Sequence, residues 1–494
     1  MEIVKENKNL TARPPVAVLM GHIDHGKSSL LCAIKDFEIT ENESGGITQH
    51  INAYEVEHEG KKITFIDTPG HEAFSAMRSR GAKVADLCVL VIDAEEGVKV
   101  QTKEVISHIK NCSLPVIVAL NKIDKPQANP ERTKRELAQN DIVVETLGGK
   151  IPSVEVSAKT KKGIPELLDL ILLVAEMENL KVDLSKPPEG VIIESYLDSQ
   201  RGPTATLLLK EGILKRGEII GTNSAFGKIK ILENFQGKLI NEVLPSMPAI
   251  ILGLEKVPKI GESFKRFATL EEAQQNTKIE RKEGISRNFI INSDSDKKIL
   301  NFILKADVFG SLEVIEEILK NLYKEQIEIK ILKSGVGEIS EEDLKMAQLF
   351  KTKILGFKVK VNPQVLNAAQ FSKVKIITFD IIYNLVQAVK EMAEKELKPK
   401  EGFKEIGQAR VLAVFISDKN RQVIGAKVFK GEALKGAKIE VLSNGEATGE
   451  GKLINLQRNK KTIEKIQKGN DCGILFEGNV KVKEGDILII KTYG

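Results

Sequence analysis

The run Gly21-His22-Ile23-Asp24-His25-Gly26-Lys27-Ser28 has the spacing of a phosphate-binding loop: a glycine, four residues, then Gly-Lys-Ser. Glycine lets the main chain curl tightly, so that its N–H groups and the N-terminus of the following helix face an anion. Lys27 is suited to neutralise β- and γ-phosphates. Ser28, with Ser29 beside it at the helix start, offers a hydroxyl to Mg2+. Asp67-Thr68-Pro69-Gly70-His71 supplies a carboxylate for the metal's water shell and a Gly70 N–H for a γ-phosphate. In Asn121-Lys122-Ile123-Asp124, the last carboxylate can accept from both N1 and N2 of guanine, a donor pair that adenine lacks. Asp124 therefore points to GTP rather than ATP. Ser157-Ala158-Lys159 is placed to close over the base.

Thr48 lies in Gly45-Gly46-Ile47-Thr48-Gln49-His50, between the phosphate loop and Asp67. A hydroxyl there can reach Mg2+ and register a γ-phosphate, as in order–disorder nucleotide switches. His71 stands where hydrolysis needs a group to orient water. A solitary histidine is more often structural, and its place directly after Asp67-Thr68-Pro69-Gly70 is what makes it the catalytic candidate. Arg78 and Arg80 follow, but nothing marks either as an arginine finger. Slow intrinsic hydrolysis, accelerated by a partner, is the expectation.

These groups need strands that end at them. VAVLM (16–20), KITFIDT (62–68), DLCVLVIDA (86–94) and LPVIVALNKID (114–124) read as parallel strands buried on both faces. KSSLLCAIKD (27–36) and QTKEVISHIK (101–110) read as helices between them. The βαβ rhythm predicts an α/β domain over 16–183, with each motif at the C-terminal end of a strand, where open α/β sheets bind ligands. After the linker Ser185-Lys186-Pro187-Pro188-Glu189-Gly190, short β-rich runs predict a small antiparallel barrel over 187–268. Residues 269–295 read as a linker or exposed helix. Residues 296–378 read as a second α/β domain, with a helix capped by Ser340. A connecting helix over 379–400 carries Ile381, Ile382, Leu385, Val389, Met392 and Leu397 at helical spacing and stops at Pro399. Residues 401–494 read as a second barrel, and 1–15 as a short extension. The expected class is α/β multidomain: P-loop GTPase domain, small β-barrel, second α/β domain, long connecting helix and C-terminal β-barrel.

The composition, 41% hydrophobic and 29% charged over 494 residues, excludes a disordered or fibrous chain. No apolar stretch suits a bilayer, and the start MEIVKENKNL lacks a signal core. Cys32, Cys88, Cys112 and Cys472 form no CxxC pair and read as buried, reduced thiols. A cytoplasmic location without membrane contact is expected. From Gly402 onward, 17 Lys and Arg stand against 11 Asp and Glu, which suits either a polyanion partner or a solvated surface. The histidines at 22, 25, 50, 58, 71 and 108 show no HExxH or Cys/His ligand spacing, which argues against a metal hydrolase.

With these residues in view, the chain resembles the translational GTPases, and most closely the bacterial translation initiation factor two family. The resemblance rests on GHIDHGKSSLL (21–31), GGITQHI (45–51), DTPGHEAFSAMRSRGA (67–82) and NKIDKP (121–126). It continues in RGPTATLLLKEGILKRGEII (201–220), LPSMPAIILGLEKVPKIGESF (244–264), LKADVFGSLEVI (304–315), SGVGEISEEDL (334–344), IIYNLVQAV (381–389) and NDCGILFE (470–477). It implies a monomer that, with GTP and Mg2+, recruits formyl-methionyl initiator tRNA to the small ribosomal subunit and promotes joining of the large subunit. It implies too that the ribosome triggers hydrolysis to GDP. By the same resemblance the last barrel would hold the tRNA acceptor end, with Arg458, Asp471 and Cys472 as candidates. Arg458 also suits a solvated surface charge, and Cys472 a buried core thiol. The chain departs from the family pattern at Ser28 (usually Thr), Asp471 (usually Glu) and Ala426 (usually Cys). Only about 15 residues precede the first strand, where the family commonly carries a long N-terminal region. Two other readings stay open. A specialised elongation-type GTPase would not prefer initiator tRNA, and a nucleotide-gated RNA-binding scaffold would show no ribosome-stimulated turnover.

Overall fold

The computed structural model describes residues 10–35, 48–277, 298–322, 327–397, 403–418, 420–443, 445–459 and 461–493. Gly45, Gly46, Ile47, Pro399 and linker residues 278–295 lie outside the described residues, as do 1–9 of the expected extension. The chain divides into two compact units, Met1–Glu391 and Met392–Gly494.

The first unit begins with the expected α/β sheet. Its strands run in the order Asn52–His58, Lys61–Asp67, Val16–Met20, Leu87–Asp93, Val116–Asn121 and Ser153–Glu155. All neighbours are parallel except the edge strand Asn52–His58, which pairs antiparallel with Lys61–Asp67. NAYEVEH has no apolar run, and its burial is partial, which is why the apolar pattern does not announce it. Leu30 and Leu31 of helix Lys27–Ile34 share one buried cluster with Phe65, Val89, Ile117 and Ile171 of helix Ile164–Met177. Each such side chain contributes roughly 1.5–3 kcal/mol by leaving water. That packing fixes the phosphate loop at the end of Val16–Met20.

A closed, wholly antiparallel barrel follows, in the order Gly202–Glu211, Pro248–Leu254, Phe226–Asn234, Ile219–Gly221, Ser263–Phe267 and Glu189–Asp198. Its Ser246 turn docks on the first sheet. There Thr64 Oγ1 donates to Ser246 O at 2.5 Å, and Arg13, paired with Asp86 at 2.6 Å, donates to Ser246 Oγ at 3.1 Å. The stretch expected as a linker opens with helix Leu270–Asn276, capped by Thr269 and burying Ala273.

Next comes a parallel sheet in the order Ile327–Val336, Lys298–Ala306, Lys353–Phe357 and Ile376–Phe379. Helices Phe309–Asn321, Glu341–Leu349 and Pro363–Phe371 connect it, the second closed by a Ser340–Asp343 capping box. The connecting helix runs Ile382–Leu397 and does not begin at Phe379, which is a strand residue paired with Phe357. Sheet hydrogen bonding outweighs the helical periodicity there. The buried stripe is Ile382, Leu385, Val389 and Ala393, while Met392 is half-buried. Among the described residues no helix is long and apolar enough to cross a membrane.

In the second unit six strands form a ring: Phe403–Ser417, Ile487–Tyr493, Lys438–Ser443, Glu446–Arg458, Asp471–Gly478 and Arg421–Leu434, which pairs back with the first. Val411, Ile424, Ile439, Leu456, Ile474, Phe476 and Leu488 fill it. All four cysteines are free thiols, but only Cys88 and Cys472 are buried. Cys32 and Cys112 are half-buried, each on a helix and outside that helix's set of buried residues.

Candidate functional site

The phosphate loop, Thr48, Gly70, His71 and Lys122 meet at one cleft of about 310 Å³, lined by Ile23, Asp24, Gly26, Lys27, Ser28, Ser29, Thr48, Gly70, His71, Lys122 and Tyr383, while Asp67, Asn121, Asp124 and Ser157–Lys159 lie outside its lining. Two glycines make the close approach possible. Gly26 (φ 87°) has no room for a side chain: a Cβ would lie 2.5 Å from Asn121 Nδ2. At Gly70 a Cβ would lie 2.4 Å from Lys27 Nζ. Lys27 Nζ donates to Gly21 O at 3.0 Å and His22 O at 2.8 Å, which holds the loop around the ammonium. Burial lowers its pKa to about 8, against the pull of the Asp67 charge. Neighbouring His25 is fully buried, and burial takes its pKa down to about 3, so it is a neutral structural ring.

Three residues expected at the metal come together. Ser28 Oγ and Thr48 Oγ1 are 2.5 Å apart, Ser28 Oγ donates to Asp67 Oδ2 at 3.1 Å, and Thr48 Oγ1 is 3.5 Å from the same oxygen. Two hydroxyls and a carboxylate in mutual reach form a hard oxygen set that fits Mg2+.

His71 sits at the mouth of the cleft. Ala73 N–H donates to its Nδ1 at 2.9 Å, which leaves the proton of a neutral ring on Nε2. Phe74 and Tyr383 meet the imidazole edge-on, with centroids at 6.3 and 4.3 Å. Arg78 is no finger. It is fully buried, donates to Pro69 O and His71 O, and pairs with Glu104 at 2.6 Å. It braces the turn that presents His71. Arg80 pairs with Glu313 of the third domain.

At the base end, Asn121 Nδ2 donates to His25 O at 3.0 Å, and Ala158 N–H donates to Asn121 Oδ1 at 3.2 Å. Ser157 Oγ donates to Asp124 Oδ1 at 2.6 Å. That bond above all holds the Asp124 pKa below the usual carboxylate range, against the opposing effect of burial, with its own main-chain N–H and the nearby Lys159 and Lys125 charges adding to it.

Two participants carry no role in the sequence reading. Gln49, directly after Thr48 and fully buried, donates through Nε2 to Asp380 O at 3.1 Å and accepts the Ile382 N–H at 3.3 Å. Tyr383 reads in the sequence only as part of an amphipathic helix. In the last barrel, Ala426 pairs with Cys472, Lys427 with Asp471 and Gln457 with Gly473. Arg458 therefore ends the strand beside the one that carries Asp471 and Cys472. Arg458 and Asp471 are exposed. The Cys472 thiol lies in the barrel core, donates to Ala426 O at 3.4 Å, and is pushed up to a pKa of about 11 by burial.

The chain is similar to known proteins along most of its length. Residues 35–177 match the elongation factor Tu GTP binding domain, 187–267 match elongation factor G domain 2, and 271–390 match translation-initiation factor 2. Translation initiation factor IF-2 of Thermoanaerobacter sp. (strain X514) is 41% identical over 99% of this chain and 72% of its own length. This chain belongs to the translation initiation factor IF-2 family. The IF-2 of Carboxydothermus hydrogenoformans is 40% identical over 99% of this chain, which spans 60% of that relative's length. Among solved structures, GDP-bound aIF5B from Aeropyrum pernix aligns at 25% identity and a TM-score of 0.47, over 97% of this chain and 92% of that one.

Proposed function

We propose that this chain is a GTP-hydrolysing initiation factor. It brings formyl-methionyl initiator tRNA to the small ribosomal subunit, promotes joining of the large subunit, and hydrolyses GTP when the ribosome engages it. One observation carries the enzymatic part: Lys27, Ser28, Thr48, Gly70 and His71 line one cleft, and buried Asp67 accepts from Ser28 behind them. The IF-2 family membership supports the translational part.

In this reading Asp124 accepts from guanine, and the loop N–H groups with Lys27 hold the phosphates. His71 orients the attacking water through its imidazole, while Arg78 and Ala73 fix the turn that carries it. Ser28, Thr48 and Asp67 would hold Mg2+, which when bound lends charge stabilisation to phosphate oxygens. In the last barrel, exposed Arg458 and Asp471 offer polar contacts to a tRNA acceptor end, and buried Cys472 packs beneath them. The functional domains are 16–183, 187–268, 296–379, the connecting helix Ile382–Leu397 and 401–494, acting as a cytoplasmic monomer.

The test is GTP turnover by the purified chain, alone and with both ribosomal subunits and formyl-methionyl initiator tRNA. Stimulation that needs both subunits and favours initiator over elongator tRNA is expected. Binding of GTP without stimulation would favour a nucleotide-gated scaffold.

A further inference from the structure

Asp93 ends the central strand Leu87–Asp93 and is 0% exposed. Its Oδ1 accepts the Glu95 N–H at 2.8 Å. Its Oδ2 lies 2.9 Å from Lys122 Nζ and 3.4 Å from Lys125 Nζ. Lys122 Nζ also donates to the main-chain oxygen of Asp24 in the phosphate loop. The Lys122 stem passes over Gly26, where a Cβ would come within 3.6 Å of its Cε. Lys122 and Asp24 line the cleft; Asp93 does not line it but touches Lys122, which does.

A carboxylate withdrawn from water is costly unless paired and hydrogen-bonded. Burial raises the Asp93 pKa, but the Lys122 bond, the Glu95 N–H and the two lysine charges lower it further, to a net value below the usual range. The group is therefore a fixed anion beside a motif that meets the loop at two points, the Asn121 amide on His25 O and the Lys122 ammonium on Asp24 O. A free lysine stem samples many rotamers, so its bond to Asp24 would have to be re-formed on every binding event.

We propose that Asp93 is a positioning residue for guanine-nucleotide binding: it anchors Lys122 across the phosphate loop, so that Asp24 and the base-reading segment Asn121–Asp124 hold their spacing as one body. The inference rests on the guanine-nucleotide reading above and deepens it. Neither Lys122 nor Asp24 belongs to the Thr48 or Gly70 segments that would register a γ-phosphate. What Asp93 does should therefore be felt equally by GTP and GDP.

The test uses the full chain with the Asp93→Asn substitution, which keeps the shape and the acceptor for Glu95 N–H but removes the charge. Stopped-flow release of fluorescent GTP and GDP should each quicken about tenfold, with their ratio kept within twofold. In a Lys122→Met background, adding D93N should change release by less than about twofold, because the carboxylate acts through that ammonium. Unchanged release in D93N overturns the proposal. So does an additive effect in the Lys122→Met background, which a purely structural aspartate would give, or a loss confined to GTP. Should D93N fail to fold, Lys122→Met alone must speed release of both nucleotides equally or the proposal falls. Failure of the unmodified chain to bind either nucleotide would instead sink the guanine-nucleotide reading itself.

Discussion

The imidazole of His71 is held from three sides, by the Ala73 N–H on Nδ1 and by the rings of Phe74 and Tyr383. None of these contacts grips a phosphate, so the side chain should matter to turnover and not to affinity. His71→Ala is expected to keep GTP binding within a few-fold and to cut ribosome-stimulated hydrolysis by at least roughly a hundredfold. Single-turnover rates with both subunits present measure this, and near-normal hydrolysis would remove His71 from its role. Asp124 is aligned by the Ser157 hydroxyl at 2.6 Å. Asp124→Asn puts a donor where guanine offers donors, so the preference for GTP over XTP should fall by about a hundredfold in a competition assay. An unchanged preference would move base recognition elsewhere. These residues were legible because each motif is contiguous and its chemistry local. Arg78, Tyr383 and Asp93 were not, because each acts on a residue from another element. Arg78 reads as one cation in the polar run SAMRSRGAKV until the fold buries it against Pro69 and His71 oxygens.

At the scale of elements, the Thr48 segment is tied to the start of helix Ile382–Leu397 by one side chain. The Gln49 amide both donates to Asp380 O and accepts from Ile382 N–H while fully buried. Removing it strands the buried Ile382 N–H, at a cost of about 1–3 kcal/mol, while the oxygen of exposed Asp380 can turn to water. Gln49→Ala should therefore weaken local protection of the Ile382 amide by about 2 kcal/mol, a roughly thirtyfold faster exchange in native-state hydrogen exchange. Unaltered exchange at Ile382 would show that the helix start is held by other contacts. The sequence made the parallel strands plain because strands covered on both faces are continuous apolar runs, as in Leu87–Asp93. It hid Asn52–His58, an edge strand whose residues are mostly half-buried, and it carried the helix back into Phe379. Periodicity marks which residues face a core. It does not say whether a residue at the border takes its hydrogen bonds from a sheet or from a helix.

Across the whole first unit, the series of domains was readable because each owns a core, whereas the joints between them are a few polar contacts between residues far apart in sequence. Glu194 is such a joint. It leaves the barrel strand Glu189–Asp198, is nearly fully buried, and accepts the N–H of Ser195 at 2.9 Å and of Gly310 in the third domain at 3.3 Å. Beside it His50 and Asp307 pair at 3.0 Å. Burial pushes the Glu194 pKa up to about 7 from 4.5, and the Asp307 charge adds to this, while His50 and the two N–H donors oppose it. Below pH 4.5 the carboxyl is protonated whether the chain is folded or not. Between 4.5 and 7 the folded state holds a proton that the unfolded state has released, so stability falls as pH rises through that window and levels off above it. Glu194→Gln keeps the acceptor and cannot ionise. Its effect should be small near pH 4.5 and should grow to a stabilisation on the order of 1–3 kcal/mol at pH 8. Calorimetric melting of both proteins at the two pH values measures the gap. A gap that does not widen with pH would mean that water or a local shift already solvates the anion, and that the contact between barrel and third domain is looser than the Gly310 hydrogen bond implies.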